Sequence, residues 1–187
     1  MKRESNVPRR LITIIINMKK IIVLIGYPGA GKTTFARAFV AKHPNYKPHD
    51  VYEYIKKYKR PDGTLISEEY TIIAYTEMYQ DLKKREGDII LELGTNHHDF
   101  NAEQLKLIMS GADLNIFLCL LSKDECLARE EKRERVIDKE ALLKKFERNF
   151  PEVHEAALEK IGLGYHYLQM GQPVEDQVKF VEEIIGG

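Results

Sequence analysis

Eight consecutive residues carry the clearest chemistry in this chain: Gly26-Tyr27-Pro28-Gly29-Ala30-Gly31-Lys32-Thr33. They satisfy G-x-x-x-x-G-K-[ST], the phosphate-cradling P-loop pattern. Glycines let a backbone curl until successive N–H groups point inward at an anion. A helix opening at Thr33 adds the positive end of its dipole. The lysine neutralises charge on the β and γ phosphates of a nucleotide, and the adjacent hydroxyl is a Mg²⁺ ligand. Gly26, Pro28, Gly29, Ala30, Gly31, Lys32, Thr33 and Thr34 are therefore the expected nucleotide-binding residues, with Lys32 also catalytic and Thr33 at the metal. The motif specifies nucleotide binding and leaves the fate of the bound nucleotide open.

Two fates are open, hydrolysis coupled to a switch or phosphoryl transfer to a second substrate. A GTPase shows D-x-x-G after the third strand and N-K-x-D for guanine. This chain has Glu92-Leu93-Gly94-Thr95 and Leu121-Ser122-Lys123-Asp124 instead, so ATP is the expected nucleotide. Asp50 stands at the expected carboxyl end of the second strand, where ligands of parallel sheets bind. There it either orients and deprotonates an attacking hydroxyl or caps the next turn. Glu92 ends the third strand; a carboxylate leaving a buried strand needs a partner, either a Mg²⁺ site or a structural cation. Arg129 and Arg133, four apart, share a helix face. They either stabilise charge on a transferring phosphoryl group or join Glu125, Glu130, Glu131 and Glu134 in a solvated, salt-bridged face.

The elements that must position these groups alternate. Ile21 to Ile25 is a continuous apolar run, as expected of a strand buried on both faces. Thr33 to Lys42 reads as a helix, and a weak strand comes next near Tyr46-Lys47-Pro48. A short helix from Val51 to Tyr58 and a Pro61-Asp62-Gly63 turn precede the longest helix, Ser67 to Arg85. Its apolar positions are Ile72, Ile73, Met78, Tyr79 and Leu82. Asp88 to Leu93 and Leu114 to Leu121 read as strands, with a helix from Ala102 to Met109 between them. Ser122 to Glu125 is a capping box opening a helix to about Lys132. Further helices are expected from Asp138 to Asn149 and from Pro151. A last strand, Tyr165 to Met170, precedes a closing helix, Val174 to Ile185. Such alternation implies right-handed crossovers and a parallel sheet covered on both faces, in one α/β domain.

The run Gly26 to Thr34 resembles the P-loop of small-molecule kinases of the gluconate, shikimate and nucleotide type. Leu91 to Asn96, ending Gly94-Thr95-Asn96, resembles the corresponding strand of the polynucleotide kinase and zeta toxin group. Arg129-Glu130-Glu131-Lys132-Arg133, then Arg135-Val136-Ile137-Asp138 and Lys145-Phe146-Glu147, resembles that group's lid. The resemblance covers roughly residues 20–150. It implies a three-layer P-loop NTPase domain with strand order 2-3-1-4-5 and a helical lid near 129–147. It also implies a catalytic role for Asp50 and lid roles for Arg129 and Arg133. Gly94 stands where that group often has Asp, which leaves Glu92 to serve near the metal. His97-His98-Asp99-Phe100 replaces a basic helix start and reads as a substrate-contacting loop. Residues 51–86 come after the second strand, as the acceptor-binding region does in such kinases. The Gly171-Gln172-Pro173-Val174 turn stands at the adenine position, or is a plain strand-to-helix connection.

The bulk properties agree with a soluble enzyme. Lys plus Arg and Asp plus Glu are 29 each, so no global field favours duplex nucleic acid or a membrane surface. Cys119 and Cys126 form neither a disulfide framework nor a zinc site, which points to a reducing cytoplasm. Leu11 to Ile16 is too short for a secretory or spanning segment. Residues 1–17 read as a disordered or loosely paired extension before a domain at 18–187 that begins with Met18. The expected activity is transfer of the γ-phosphate of Mg²⁺-ATP to a hydroxyl, or phosphate, of a small metabolite, nucleoside or nucleotide. A nucleic-acid 5′ end or a nucleotide sugar is the alternative acceptor. An ATP-binding regulatory or assembly protein without an acceptor is the alternative of another class.

Overall fold

The computed structural model describes residues 18–133 and 139–186; the N-terminal extension, and with it residues 134–138 of the expected lid, lies outside them. Five strands carry the architecture: β1 (Lys19–Ile25), β2 (Tyr46–Asp50), β3 (Asp88–Leu93), β4 (Ala112–Leu120) and β5 (His166–Gln169). All neighbours are parallel, in the order β2-β3-β1-β4-β5. The expected 2-3-1-4-5 sheet is therefore present.

Alternate residues of β1 feed two cores. Ile21, Val23 and Ile25 pack with α3 (Glu69–Lys84), α4 (His98–Met109) and α7 (Glu152–Lys160) through Met78, Leu82, Leu105 and Leu158. Ile22 and Leu24 face α1 (Lys32–Lys42) and α8 (Val174–Gly186) through Phe35, Phe39, Val178 and Val181. Each fully buried side chain of this size contributes about 1.5–3 kcal/mol. Helices on both faces of one sheet give the three layers. Two further helices, α5 (Lys123–Glu131) and α6 (Lys139–Phe146), come after β4, and a short α2 (Tyr52–Ile55) runs into a 3₁₀ turn at Lys56–Tyr58.

Three expectations are corrected. The buried row of α3 is Thr71, Ala74, Tyr75, Met78, Tyr79 and Leu82, which keeps the three-four spacing of one helix face. Ile72 and Ile73 fall off that row, and Ile73 is 42% exposed. Helix α4 starts at His98, so His97 to Phe100 is a helix start rather than a loop. His97 stands at its N-cap in the left-handed region, φ 54°, and its carbonyl accepts from Asn101 N. Strand β2 ends at Asp50, as expected, and tolerates Pro48 because an edge strand need not donate on its outer side. Helix α5 ends at Glu131, so Arg133 lies beyond it and does not share a helical face with Arg129. The Ser122 cap is present, Ser122 Oγ accepting from Glu125 N at 3.3 Å, but Glu125 reaches back to the Ser122 hydroxyl, which donates to its Oε2 at 2.6 Å, rather than to the backbone N–H of a full capping box.

Candidate active site

The loop between β1 and α1 lies at the carboxyl edge of the sheet, directly after the central strand. Gly29 and Gly31 have φ of 78° and 100°, a region where any side chain is strained. Gly29 is also closely covered: a Cβ there would lie 2.3 Å from the Cys126 carbonyl of α5. The Lys32 ammonium donates to the carbonyls of Gly26 at 2.7 Å and Tyr27 at 2.8 Å. Burial pulls its pKa down, opposed by Cys119, Glu92 and Asp50.

Two carboxylates face the loop from neighbouring strand ends. Asp50 and Glu92 are register partners across β2 and β3. Glu92 is 5% exposed, and its Oε2 accepts from the Thr33 hydroxyl at 2.7 Å. Burial raises its pKa, countered by that hydroxyl and raised again by Asp50. Asp50 Oδ1 accepts from Tyr52 N at 2.9 Å, so the capping role is real. Burial raises its pKa too, the Tyr52 N–H opposing.

All four residues open onto one cavity of about 560 Å³, within the range of small-ligand pockets. The loop side of its wall is Pro28, Gly29, Gly31, Lys32 and Thr33. The opposite wall comes from α2, the 63–65 turn, the start of α3 and the end of β3. Arg133, Glu140, Leu142, Lys144 and Lys145 line the remaining side. Gly26 and Ala30 support the loop from below, and Thr34 is exposed outside the cavity. A second hollow, about 580 Å³ between β2, α2 and α3, is walled by charges satisfied locally: Lys57 with Glu77, and Asp81 with Tyr54 and Arg85.

The two expected arginines approach the loop differently. Arg129 Nη1 lies 3.6 Å from where a Gly31 Cβ would stand. Arg133 lines the cavity, its Nη1 2.6 Å from Glu130 Oε1. Glu130 is fully buried rather than part of a solvated face. In the 171–174 turn, Gln177 Nε2 donates to Gln172 O at 2.7 Å and to Met170 O at 3.5 Å. Met170 Cε sits 3.5 Å from the same Gly31 position, so this turn adjoins the loop.

Several contributors make contacts that the sequence does not reveal, although Tyr27 lies within the P-loop pattern and Thr95 and Asn96 within the strand-end resemblance. Tyr27 is buried; its hydroxyl donates to Arg148 O and accepts from Phe150 N at 3.3 Å, and its ring stacks on Phe146 at 5.0 Å. The Arg148 guanidinium donates to Asn96 Oδ1, and Asn101 Nδ2 to Asn96 O at 2.8 Å. Thr95 lines the cavity at 1% exposure with no hydrogen-bond partner for its hydroxyl among the described residues. The histidines expected to contact substrate are engaged with protein: His97 Nε2 lies 2.7 Å from Thr71 Oγ1, and His98 lies 3.3 Å from Asp99.

Beyond this geometry, the chain is similar to solved kinases along most of its length. Shikimate kinase from Bacteroides thetaiotaomicron superposes at TM-score 0.65 and 15% identity, over 90% of this chain and 99% of that one. The chain has the P-loop kinase fold. Deoxyadenosine kinase from M. mycoides, solved with bound dATP, gives TM-score 0.58 and 15% identity over 89% and 100%. The Pnkp1/Rnl/Hen1 RNA repair complex gives 0.56 and 20% over 78% of this chain and 45% of that chain. No family model matches the sequence. Among the described residues, no helix is long and apolar enough to cross a membrane.

Proposed function

We propose that this protein is an ATP-dependent phosphotransferase that moves the γ-phosphate to a hydroxyl of a small metabolite, nucleoside or nucleotide. The observation that carries the reading is the shared cavity. A phosphate-binding loop, a buried carboxylate bonded to the loop threonine, and a second carboxylate two residues before an open wall face one small-ligand space.

In this reading Lys32 sets positive charge against the β and γ phosphates, and loop N–H groups hold them. The Thr33 hydroxyl and the Glu92 carboxylate are a hard-oxygen donor pair that fits Mg²⁺ and would hold it beside the loop. Magnesium, when bound there, neutralises phosphate charge. Among the described residues no cluster of three or more His, Cys, Asp or Glu is placed to hold a metal unaided; the donor set needs the nucleotide to complete it. Asp50 takes the proton of the acceptor hydroxyl as the new P–O bond forms and the bond from the γ phosphorus to the bridging oxygen of ATP breaks, with ADP as the leaving group. Its Oδ1 is fixed by Tyr52 N–H, which leaves Oδ2 for the acceptor, and its raised pKa moves it toward a useful base strength. Arg129 and Arg133 oppose the negative charge of the transferring group. The 171–174 turn receives the adenine, and the 51–75 wall the acceptor. Residues 18–187 act as one unit, in the cytoplasm.

The test is ADP release from Mg²⁺-ATP across nucleosides, sugars and 5′-hydroxyl oligonucleotides, with Lys32→Ala as control. One acceptor raising turnover well above the acceptor-free rate is expected. A flat panel with intact ATP binding would instead favour a regulatory nucleotide-binding protein.

A further inference from the structure

Three lysines lie within four residues after α2, and they are used differently. Lys56 pairs with Glu53, and Lys57 pairs with Glu77 at 3.0 Å. Lys59 has no ion-pair or hydrogen-bond partner for its ammonium among the described residues. That ammonium lies over the Tyr52 ring, 4.9 Å from its centroid. Lys59 and Tyr52 both line the 560 Å³ cavity, whereas neither Lys56 nor Lys57 does.

The position of Lys59 is built rather than incidental. Residues 58–66 form a small antiparallel hairpin in which Lys59 bridges Leu65. Arg60 N donates to Thr64 O at 2.8 Å, Gly63 N to Arg60 O at 2.9 Å, and Ile66 N to Tyr58 O at 3.0 Å. Asp62 Oδ1 accepts from both the amide and the hydroxyl of Thr64. The Arg60 guanidinium reaches the carbonyls of Leu65 and Ile66 at 3.4 Å. The neighbouring cation is thus spent on holding the hairpin, and the hairpin fixes the origin of the Lys59 side chain. From there the stem reaches back over Tyr52, two residues after Asp50. The ring attracts an ammonium weakly and leaves its N–H donors unused.

We infer that Lys59 is a specificity-determining residue and that the acceptor carries an anionic group, phosphate or carboxylate, which this ammonium binds beside the Tyr52 ring. The inference rests on the phosphotransferase reading and narrows its acceptor class. It makes the acceptor a sugar phosphate, sugar acid or nucleotide rather than a neutral sugar or nucleoside.

The experiment measures binding calorimetrically, in the presence of ADP and Mg²⁺, for matched probes: glucose, glucose 6-phosphate and gluconate, then adenosine and AMP. ADP release from ATP is measured for the same probes. An anionic member is expected to bind at least tenfold more tightly than its neutral partner. Lys59→Ala is expected to remove that preference, weakening the anionic probe about ten- to hundredfold, as loss of a hydrogen bond to a charged group does. Lys59→Arg should restore much of it, and Lys57→Ala, whose lysine is paired with Glu77, should keep it. The phosphate and carboxylate arms show which anion is taken. Binding that depends on Lys59 without any acceptor-stimulated turnover would support the anion site and overturn the kinase reading. Equal binding of neutral and anionic probes, no binding of any anionic probe, or indifference to Lys59→Ala would overturn the inference, whatever the turnover.

Discussion

Replacing Glu92 by glutamine isolates one buried charge without changing the side chain's shape. The amide oxygen still accepts from the Thr33 hydroxyl now 2.7 Å from Oε2. What disappears is a carboxylate at 5% exposure beside a second carboxylate, Asp50, its register partner on the adjacent strand. Neighbouring strands are ~4.8 Å apart, so a charge separation of ~6 Å at an effective dielectric of ~20 gives a repulsion of about 3 kcal/mol. The Lys32 ammonium attracts both carboxylates and cancels a good part, which leaves a net relief of about 1 kcal/mol. For a domain of this size that is a rise of about 2–4 °C in melting temperature. Burial raises the Glu92 pKa, so in the window between its unfolded and folded values the folded chain holds a proton that the unfolded chain has released. Wild-type stability therefore falls as pH rises through that window. The gain from Glu92→Gln appears above it and vanishes below it, where Glu92 is protonated anyway. Function moves the opposite way: acceptor-stimulated turnover should fall at least ~100-fold, because a metal-side charge is lost. Melting curves at two pH values, with ADP release, check both halves. A variant that melts lower than wild type at pH 8 would refute the strain argument, and undiminished turnover would refute the metal-side role.

The same geometry sets two further outcomes. Gly29→Ala adds a Cβ 2.3 Å from the Cys126 carbonyl at a φ of 78°; the clash and the backbone strain should cost at least ~2 kcal/mol, read as a lower urea midpoint, and an unchanged midpoint would mean that α5 moves freely off the loop. Asp50→Asn keeps an acceptor for Tyr52 N–H and removes the base, so turnover should fall about 10²–10⁴-fold with ATP affinity retained in calorimetry; undiminished turnover would leave Asp50 only its capping role.

The parts of the fold that sequence reveals are those decided locally. The Ile21–Ile25 run, the glycine-rich loop, the Asp88–Leu93 strand and the Ser122 helix cap are each read within about eight residues, and each forms where expected. Strand β2 is faint because it is an edge strand: Lys47 and Pro48 face out, and only Tyr46 and His49 are buried. Apolar type alone misreads the α3 face, because Thr71 and Tyr75 replace Ile72 and Ile73 in the 71-74-75-78-79-82 row. The site is legible in its loop, in Asp50 and in Glu92, since strand ends of a parallel sheet are ordered by topology. Glu130 reads as a surface charge because its burial depends on α5 lying back on the loop. Arg148 and Asn96, 52 residues apart, meet only through tertiary packing: Arg148 lies between α6 and α7, and α7 packs against α4, the helix that follows Asn96.

That packing bears on why two arginines so far along the chain stay near the glycine-rich loop. The segment carrying Arg129 and Arg133 touches the loop on both sides of them. Before them, the Cys126 backbone rests on Gly29 so closely that no side chain fits between. After them, Phe146 stacks on Tyr27, and the Tyr27 hydroxyl joins Arg148 O and Phe150 N. Arg129 is three residues from the first anchor, about 4.5 Å along a helix, and so cannot stray far from Gly31. The Tyr27 carbonyl, at the other end of the same residue, accepts from Lys32. One loop residue therefore binds the Lys32 ammonium through its backbone and the far anchor through its side chain. Placement of the cations about the loop is a matter of the backbone contact at Gly29 and the side-chain contacts of Tyr27, and the arginines need only their side-chain length to reach inward.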